Sequence, residues 1–318
     1  MNRLTNLKFW QPQPSRDSAG VVISETGISL VTLDQLDQVK PALITCQWLP
    51  HNREQGSDIQ QLETLVRDHL VGNTPCSTAL SPGSYQIFLV DAPNIPEQEQ
   101  KAAIRWQVKD LIDYPIEEAS VDLFTTAPMG AASEQKLYVV VVRTAELLVK
   151  ANSLQNAGLN LGVIDIPELA LRNIAARLEQ AEQGLVMLHL EANNGVIVLI
   201  RGETLYLARS IDLGNEQLFA ALQHPDLLER FVADITLEIQ RSTNYYDMQF
   251  RQPHLTQLIS TPLPFDAPDF FTSLAAESGL VSLELTISEI VNVETEISRQ
   301  VEANTILALG SALRVDPA

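Results

Sequence analysis

LVMLHLEANNGVIVLIRGETLYLARSIDLG, residues 185–214, contains three runs that are apolar and β-branched enough to be strands: 185–190, 196–201 and 204–211. Each break between them carries a turn signal. Asn193-Asn194-Gly195 tolerates positive φ, and Arg201-Gly202-Glu203 does the same at the second break. The stretch therefore reads as a three-stranded meander with a short first hairpin. Such a hairpin grips phosphate when its tip is rich in glycine, because backbone amides must reach the ligand. Here the tip, 188–192, has no glycine and no aspartate, and it places Glu191 where a phosphate would lie. That is a poor anion site.

Working outward, 20–24 and 28–34, joined by Glu25-Thr26-Gly27 and followed by a third strand within 39–48, repeat the pattern. Ile59, Leu62, Leu65, Val66 and Leu70 fall on one face of a helix over 58–70, and 86–91 reads as a buried strand that closes the first unit. Pro93 and Pro96 then break the chain. Pro96 starts a helix over 97–112, with Ala103, Ile104, Gln107 and Leu111 on one face and Trp106 at its edge; Pro115 ends it. Strands at 121–126 and 137–142 and a helix from Thr144, its cap, to Ala157, closed by Gly158, complete an αββα piece. A strand at 162–166 and a helix at 168–182 lead into the meander. After it come helices at 215–222 and 225–249, strands at 255–260 and 281–287 around a helix at 269–278, and a small-residue helix at 303–313. The division that follows is a tail (1–19), a first core (20–92), an inserted subdomain (93–161), a second core (162–214), a helical subdomain (215–260) and a return to the second core (261–318).

A chain of 318 residues with 45% apolar content suits two comparable lobes. Against 40 acidic residues stand 21 Lys and Arg, a net charge of −19 that repels nucleic acid and anionic lipid and excludes nucleic acid as a partner. Cys46 and Cys76 lack metal-ligand spacing and are too few for a disulfide framework, which fits a reducing cytoplasm. No stretch reaches the roughly 20 apolar residues that span a bilayer, and no export cleavage site follows the first residues. Residues 1–12 place Leu4, Leu7, Phe9 and Trp10 beside Arg3 and Lys8. A weak interfacial anchor is one reading, and a segment packed on the body is the plainer one.

Three further stretches, 103-AIRWQVKDLIDYPIEEASVDL-123, 238-EIQRSTNYY-246 and 308-ALGSALR-314, resemble the PilM family of pilus assembly proteins. Within it the chain looks most like the branch that serves mannose-sensitive haemagglutinin (MSHA) pili; the cytoplasmic domain of the type II secretion protein GspL is a relative. The resemblance runs over nearly the whole chain. It implies an α/β, actin-like (ribonuclease H-like) two-lobed ATPase fold with an inserted subdomain placed as in the cell-division protein FtsA. It also implies a scaffold on the cytoplasmic face of the inner membrane that docks the N-terminal tail of a PilN-like membrane protein, with the pilus assembly ATPase as a further candidate partner.

The chain departs from the family at the nucleotide site. Aligned by strand register, Val22 stands at the first magnesium aspartate, Ser24 at the hairpin glycine and Ser29 at the lysine; His189 stands at the second aspartate and Glu191 at its glycine. Loss of both carboxylates removes the magnesium pole, and Glu191 adds repulsion. Only the adenosine-side pair Gly310-Ser311 remains. The expectation is a protein with no catalytic residue, no metal and no ATP hydrolysis, in which MgATP binding is disfavoured. In the family the partner's tail lies in a groove beside the inserted subdomain, so Ile104, Trp106, Leu111, Val121 and Leu123 are candidates to line it, with main-chain pairing along a strand edge.

Each residue has a plainer reading. His189 has no histidine or cysteine near it in sequence, so a strand histidine hydrogen-bonded in the core or at a cleft edge outweighs a ligand or base. Glu117-Glu118 are solvated, because adjacent side chains point apart, and Asp165 precedes a helix start whose dipole favours a carboxylate. Gly310 serves close packing of the last helix, and Ile104, Trp106 and Leu111 serve the subdomain core. Two functions compete: a non-catalytic docking scaffold, and an active actin-like ATPase driving pilus assembly whose hairpins are misregistered by a residue or two. The lack of an Asp-x-Gly pair at either hairpin tip separates them, since Asp34 and Asp212 stand at strand ends too far from the tips to substitute. Filament formation is a third reading, opposed by the charge of −19.

Overall fold

The computed structural model describes residues 17–37, 39–52, 57–69, 73–127 and 136–314. The expected interfacial segment at 1–12 lies outside them. The described residues form three sheets. In the first, β1 (Asp17–Ile23), β2 (Gly27–Asp34) and β3 (Ala42–Pro50) make an antiparallel meander, and β4 (Pro75–Ala79) and β8 (Asn160–Asp165) extend it in parallel, in the order β3-β2-β1-β4-β8. Helix α1 (Asp58–His69) connects β3 to β4. The second sheet repeats the plan. There β9 (Leu185–Leu190), β10 (Gly195–Arg201) and β11 (Thr204–Ile211) form the meander, and β12 (Gln257–Ser260) and β13 (Val281–Glu284) extend it as β11-β10-β9-β12-β13.

The runs 185–190 and 196–201 are almost wholly apolar because the second sheet is covered on both faces. Leu185 and Met187 point to one core, and Val186, Leu188 and Leu190 to the other, the alternation a strand imposes. Helices α5 (Asn215–Ala221), α6 (Pro225–Phe250) and α7 (Pro268–Ser278) cover the second of these faces. On the first face lies α4 (Pro167–Ala175), with the short α8 (Ile287–Ile290) and the last helix, α9 (Arg299–Ala312), beside it.

The third sheet is β5 (Tyr85–Asp91), β7 (Lys136–Arg143) and β6 (Ala119–Thr125), in the order β5-β7-β6. Helix α2 (Glu97–Gln107) joins β5 to β6, and α3 (Thr144–Asn156) follows β7. This corrects the expected boundary between residues 92 and 93. The strand at 86–91 belongs to the inserted sheet, where it pairs with β7, and the first sheet takes β4 instead. Pro75-Cys76-Ser77-Thr78-Ala79 escaped notice because small and polar residues carry no hydrophobic signal.

Other boundaries shift for local reasons. Helix α2 tightens into a 3₁₀ turn at Val108–Asp110, and Ile112 and Tyr114 fold back on the inserted sheet. The N-cap of α3 is Arg143, not Thr144, whose hydroxyl bonds that of Ser120 at 2.9 Å. The helix expected over 168–182 stops at Ala175, and the strand expected over 281–287 ends at Glu284. There Thr286 caps α8, its amide donating to Glu289 Oε1 at 3.0 Å.

Helix α9 lies against the first sheet at backbone distance. A Cβ built on Gly20 would meet Ala308 O at 1.8 Å, and one on Gly310 would meet Ala170 O of α4 at 2.3 Å. Gly310→Ala is therefore expected to lower the unfolding free energy by roughly 1–3 kcal/mol in urea titration. Gly162→Ala, whose Cβ meets nothing nearer than 4.0 Å, is expected to change it by about 0.5 kcal/mol or less.

Candidate functional site

Two concave regions are candidates for the functional site. The first is the cleft between the meander tips, the turn after β1 and the turn after β9. The side-chain amide of Asn193 donates to Glu25 Oε2 at 3.2 Å, joining the two tips across the gap. Asn304 of α9 closes the floor: Thr26 Oγ1 donates to its Oδ1 at 2.7 Å and Ser29 Oγ to its carbonyl at 2.5 Å. The cavity left between these groups is about 40 Å³. Pockets for ligands of nucleotide size run to roughly 300–1,000 Å³.

The seven residues expected at the nucleotide site divide. Val22, Ser24, His189 and Glu191 line the cleft. Ser29 is buried against α9. Gly310 faces α4, and Ser311 donates to Leu307 O at 2.8 Å inside its own helix, so neither reaches the cleft. His189 is 4% exposed; its Nδ1 lies 2.8 Å from Thr261 Oγ1, and its Nε2 lies 3.8 Å from Glu191 Oε1. Two carboxylates, Glu25 and Glu191, line the cleft without any lysine or arginine among the lining residues. A small acidic cleft does not fit a magnesium triphosphate, whose charge needs donors and cations. Among the described residues no group of three or more His, Cys, Asp or Glu side chains is placed to hold a metal.

The second region is a groove of about 470 Å³ between the inserted subdomain and the first core. One wall is the run 120–124 of β6 and the other the run 163–165 of β8. Both are outermost strands, with no further strand beyond either among the described residues. Leu80, Val140, Val142, Leu147, Ile166 and Leu169 add an apolar lining. At the exposed rim Lys101 Nζ meets Asp122 Oδ1 at 2.9 Å, and deeper in the groove Arg314 pairs with the buried Asp165. Of the five residues expected to line a peptide groove, Val121 and Leu123 do so. Ile104 is fully buried in the subdomain core. Trp106 and Leu111 are neither core nor groove: they are 66% and 53% exposed on another face, with Lys109 Nζ 5.5 Å from the indole ring.

Two tyrosines tie the inserted subdomain to the second lobe. Tyr85 of β5 donates to the Glu168 carboxylate of α4, 2.9 and 2.8 Å from its two oxygens. Tyr138 of β7 accepts the Ala208 amide of β11 at 3.0 Å. Burial raises the Tyr138 hydroxyl to about 12 and raises Tyr85 as well, with Glu168 adding to the latter. Asp165 is raised by burial against the pull of Arg314. Sequence reasoning missed Glu168, Tyr85, Thr261, Asn193 and Asn304. Their partners lie tens to hundreds of residues away, and only the glutamate after Pro167 at a helix start was a visible signal.

No family model matches the chain, and no curated protein matches it in sequence. Solved structures do match. A PilM–PilN type IV pilus biogenesis complex superposes with a TM-score of 0.75 at 20% identity, over 93% of this chain and 97% of that one. A Bacteroides thetaiotaomicron protein of actin-like ATPase fold and unknown function gives 0.50 at 9% identity, over 87% and 93%. The cytoplasmic domain of EpsL, an inner membrane component of the Vibrio cholerae type II secretion system, gives 0.48 at 12%, over 91% and 94%. The fold is actin-like, with two lobes and an inserted subdomain.

Burial drives the Glu168 carboxyl above its ordinary value of 4.5, against lowering by a backbone amide and by Tyr85. Below that value folded and unfolded chains both hold the proton. Above it the unfolded chain releases it first, so this group's cost to the fold grows as pH rises toward its folded value. Glu168→Gln removes that cost. Urea unfolding at about pH 5 and pH 8 is expected to show the variant gaining on the wild type with rising pH; a constant difference would mean that Glu168 ionises in the fold as it does in water.

Proposed function

We propose that the protein is a non-catalytic, actin-like scaffold that docks the N-terminal cytoplasmic tail of a PilN-like membrane protein in the assembly platform of a type IV pilus, peripheral to the inner membrane. The observation that carries this reading is the groove between β6 and β8. A segment laid there in extended form finds unpaired main-chain groups on two strand edges and apolar side chains beneath, the arrangement that suits recognition by strand addition. A further observation supports it: one of the similar structures is that of a PilM–PilN complex. The sequence resemblance extends the proposal to the MSHA branch, with this chain in the place of its MshI component.

The non-catalytic part rests on the cleft. Its volume of about 40 Å³, its two carboxylates and the hydrogen bond between its tips all oppose MgATP. Nothing in the geometry favours the ATPase reading over this one.

Calorimetric titration with the N-terminal peptide of a PilN-like protein, run beside MgATP, tests both parts. Peptide binding without MgATP binding is expected. Leu123→Glu, which places a charge in the groove wall, is expected to weaken the peptide on the order of tenfold or more, and Trp106→Ala, outside the groove, to leave it unchanged. Micromolar MgATP binding would overturn the non-catalytic reading, and equal loss in both variants would move the docking site.

A further inference from the structure

Strand β3 is the outermost strand of the first sheet, and among the described residues only its beginning is covered. There Leu43 N donates to Asn292 O at 2.9 Å and Asn292 N to Pro41 O at 2.8 Å, while the Asn292 side chain donates to Lys40 O at 2.9 Å. Past that bridge the two segments part. Residues 293–298 continue beside the strand across a groove of about 480 Å³, whose other wall is the run 43–47. The main-chain groups of an open strand edge are a template for one more strand.

The lining says what kind of strand. Glu294 and Glu296, both exposed, stand in it with His69 and without any lysine or arginine. Apolar surface lies at the same end of the sheet. Ile44 is 55% exposed, and Leu36 and Val39, in the turn from β2 to β3, are 69% and 83% exposed. Such a surface is complementary to a segment that is extended, apolar and basic together.

The sequence ahead of β1 has that composition. Residues 1–16 hold Arg3, Lys8 and Arg16 and none of the 40 acidic residues, and they carry Leu4, Leu7, Phe9 and Trp10. The point of attachment also fits. Asp17 pairs with Asp34 and Asp34 with Ala42, so β1 starts at the end of the sheet where the groove starts. From β1 to a strand beyond β3 is three strand spacings, about 14 Å. Residues 11–16 reach up to about 20 Å. We propose that residues 4–10 occupy this groove as a sixth strand of the first sheet, antiparallel to β3, with Lys8 between Glu294 and Glu296. The chain thereby closes one edge of that sheet with its own segment and leaves the opposite edge, β8, to a partner. The proposal does not depend on what occupies the groove at β8.

Hydrogen exchange on the full chain tests it. Amides within 44–48 are expected to exchange about tenfold faster or more in Arg3→Glu/Lys8→Glu than in the wild type, with β2 as the internal reference for folding. Adding Glu294→Lys/Glu296→Lys to that pair is expected to restore the slow rate, because the charges are then exchanged and again complementary. Carbodiimide coupling of the wild type, followed by mass spectrometry of the monomer, is expected to join Lys8 to Glu294 or Glu296. Vesicles of phosphatidylglycerol are expected not to sediment the chain. Equal exchange at 44–48 in the wild type and the reversed-charge variant overturns the proposal. Coupling found only between two chains overturns it in favour of a second copy. Sedimentation with the vesicles that Arg3→Glu/Lys8→Glu abolishes overturns it in favour of a lipid surface.

Discussion

The carbonyls of α9 take hydrogen bonds from side chains of the elements it lies on, the first sheet and α4. Ala312 O accepts Ser18 Oγ at 2.8 Å and Gln35 Nε2 at 3.1 Å, Asn304 O accepts Ser29 Oγ, and Gly310 O accepts Asn173 Nδ2 at 2.9 Å. Such bonds require the helix backbone to lie almost on the strands, which only Gly20, Ala308, Gly310 and Ala170 at the crossing points allow. The end of the chain thus sets the position of its beginning. Because Asn304 also holds Thr26, the helix fixes the first hairpin tip and with it one side of the cleft.

The junction of the inserted subdomain is held on different terms. Glu168, Asp165 and Tyr138 are buried there and Tyr85 partly so, where ionisable groups are expensive unless bonded. Each has a partner from another element: tyrosine on glutamate, arginine on aspartate, amide on tyrosine. A polar seam of this kind specifies orientation more sharply than apolar contact does, since a small rotation leaves a buried group unpaired. The groove wall at β6 therefore stands at a defined distance from β8.

Periodicity placed most elements, and the central meander most securely, because a sheet covered on both faces writes long apolar runs into the chain. It failed where side chains were small or where sheet membership was at issue. Strand β4 has no apolar run, and β5 has one but joins a different sheet from the one its position suggested, since pairing partners 50 residues apart leave no local mark. Trp106 and Leu111 show the limit of the helical pattern. Trp106 sits at the edge of the apolar face, and the early 3₁₀ turn after Gln107 takes Leu111 off that face. The carboxylate of Glu191 at the second hairpin tip was legible in the sequence. The bond from Asn193 to Glu25 spans 168 residues and was not.

Three bodies, the two lobes and the inserted subdomain, meet through a few polar contacts: tip to tip through Asn193 and Glu25, and the subdomain to the second lobe through Tyr85 on α4 and Tyr138 on β11. The subdomain is thus anchored to one lobe, while the groove it helps to form opens toward β8 of the other. A segment seated between β6 and β8 therefore bridges two bodies at once, and a pull on it is borne by the junction between them and not by one strand edge alone.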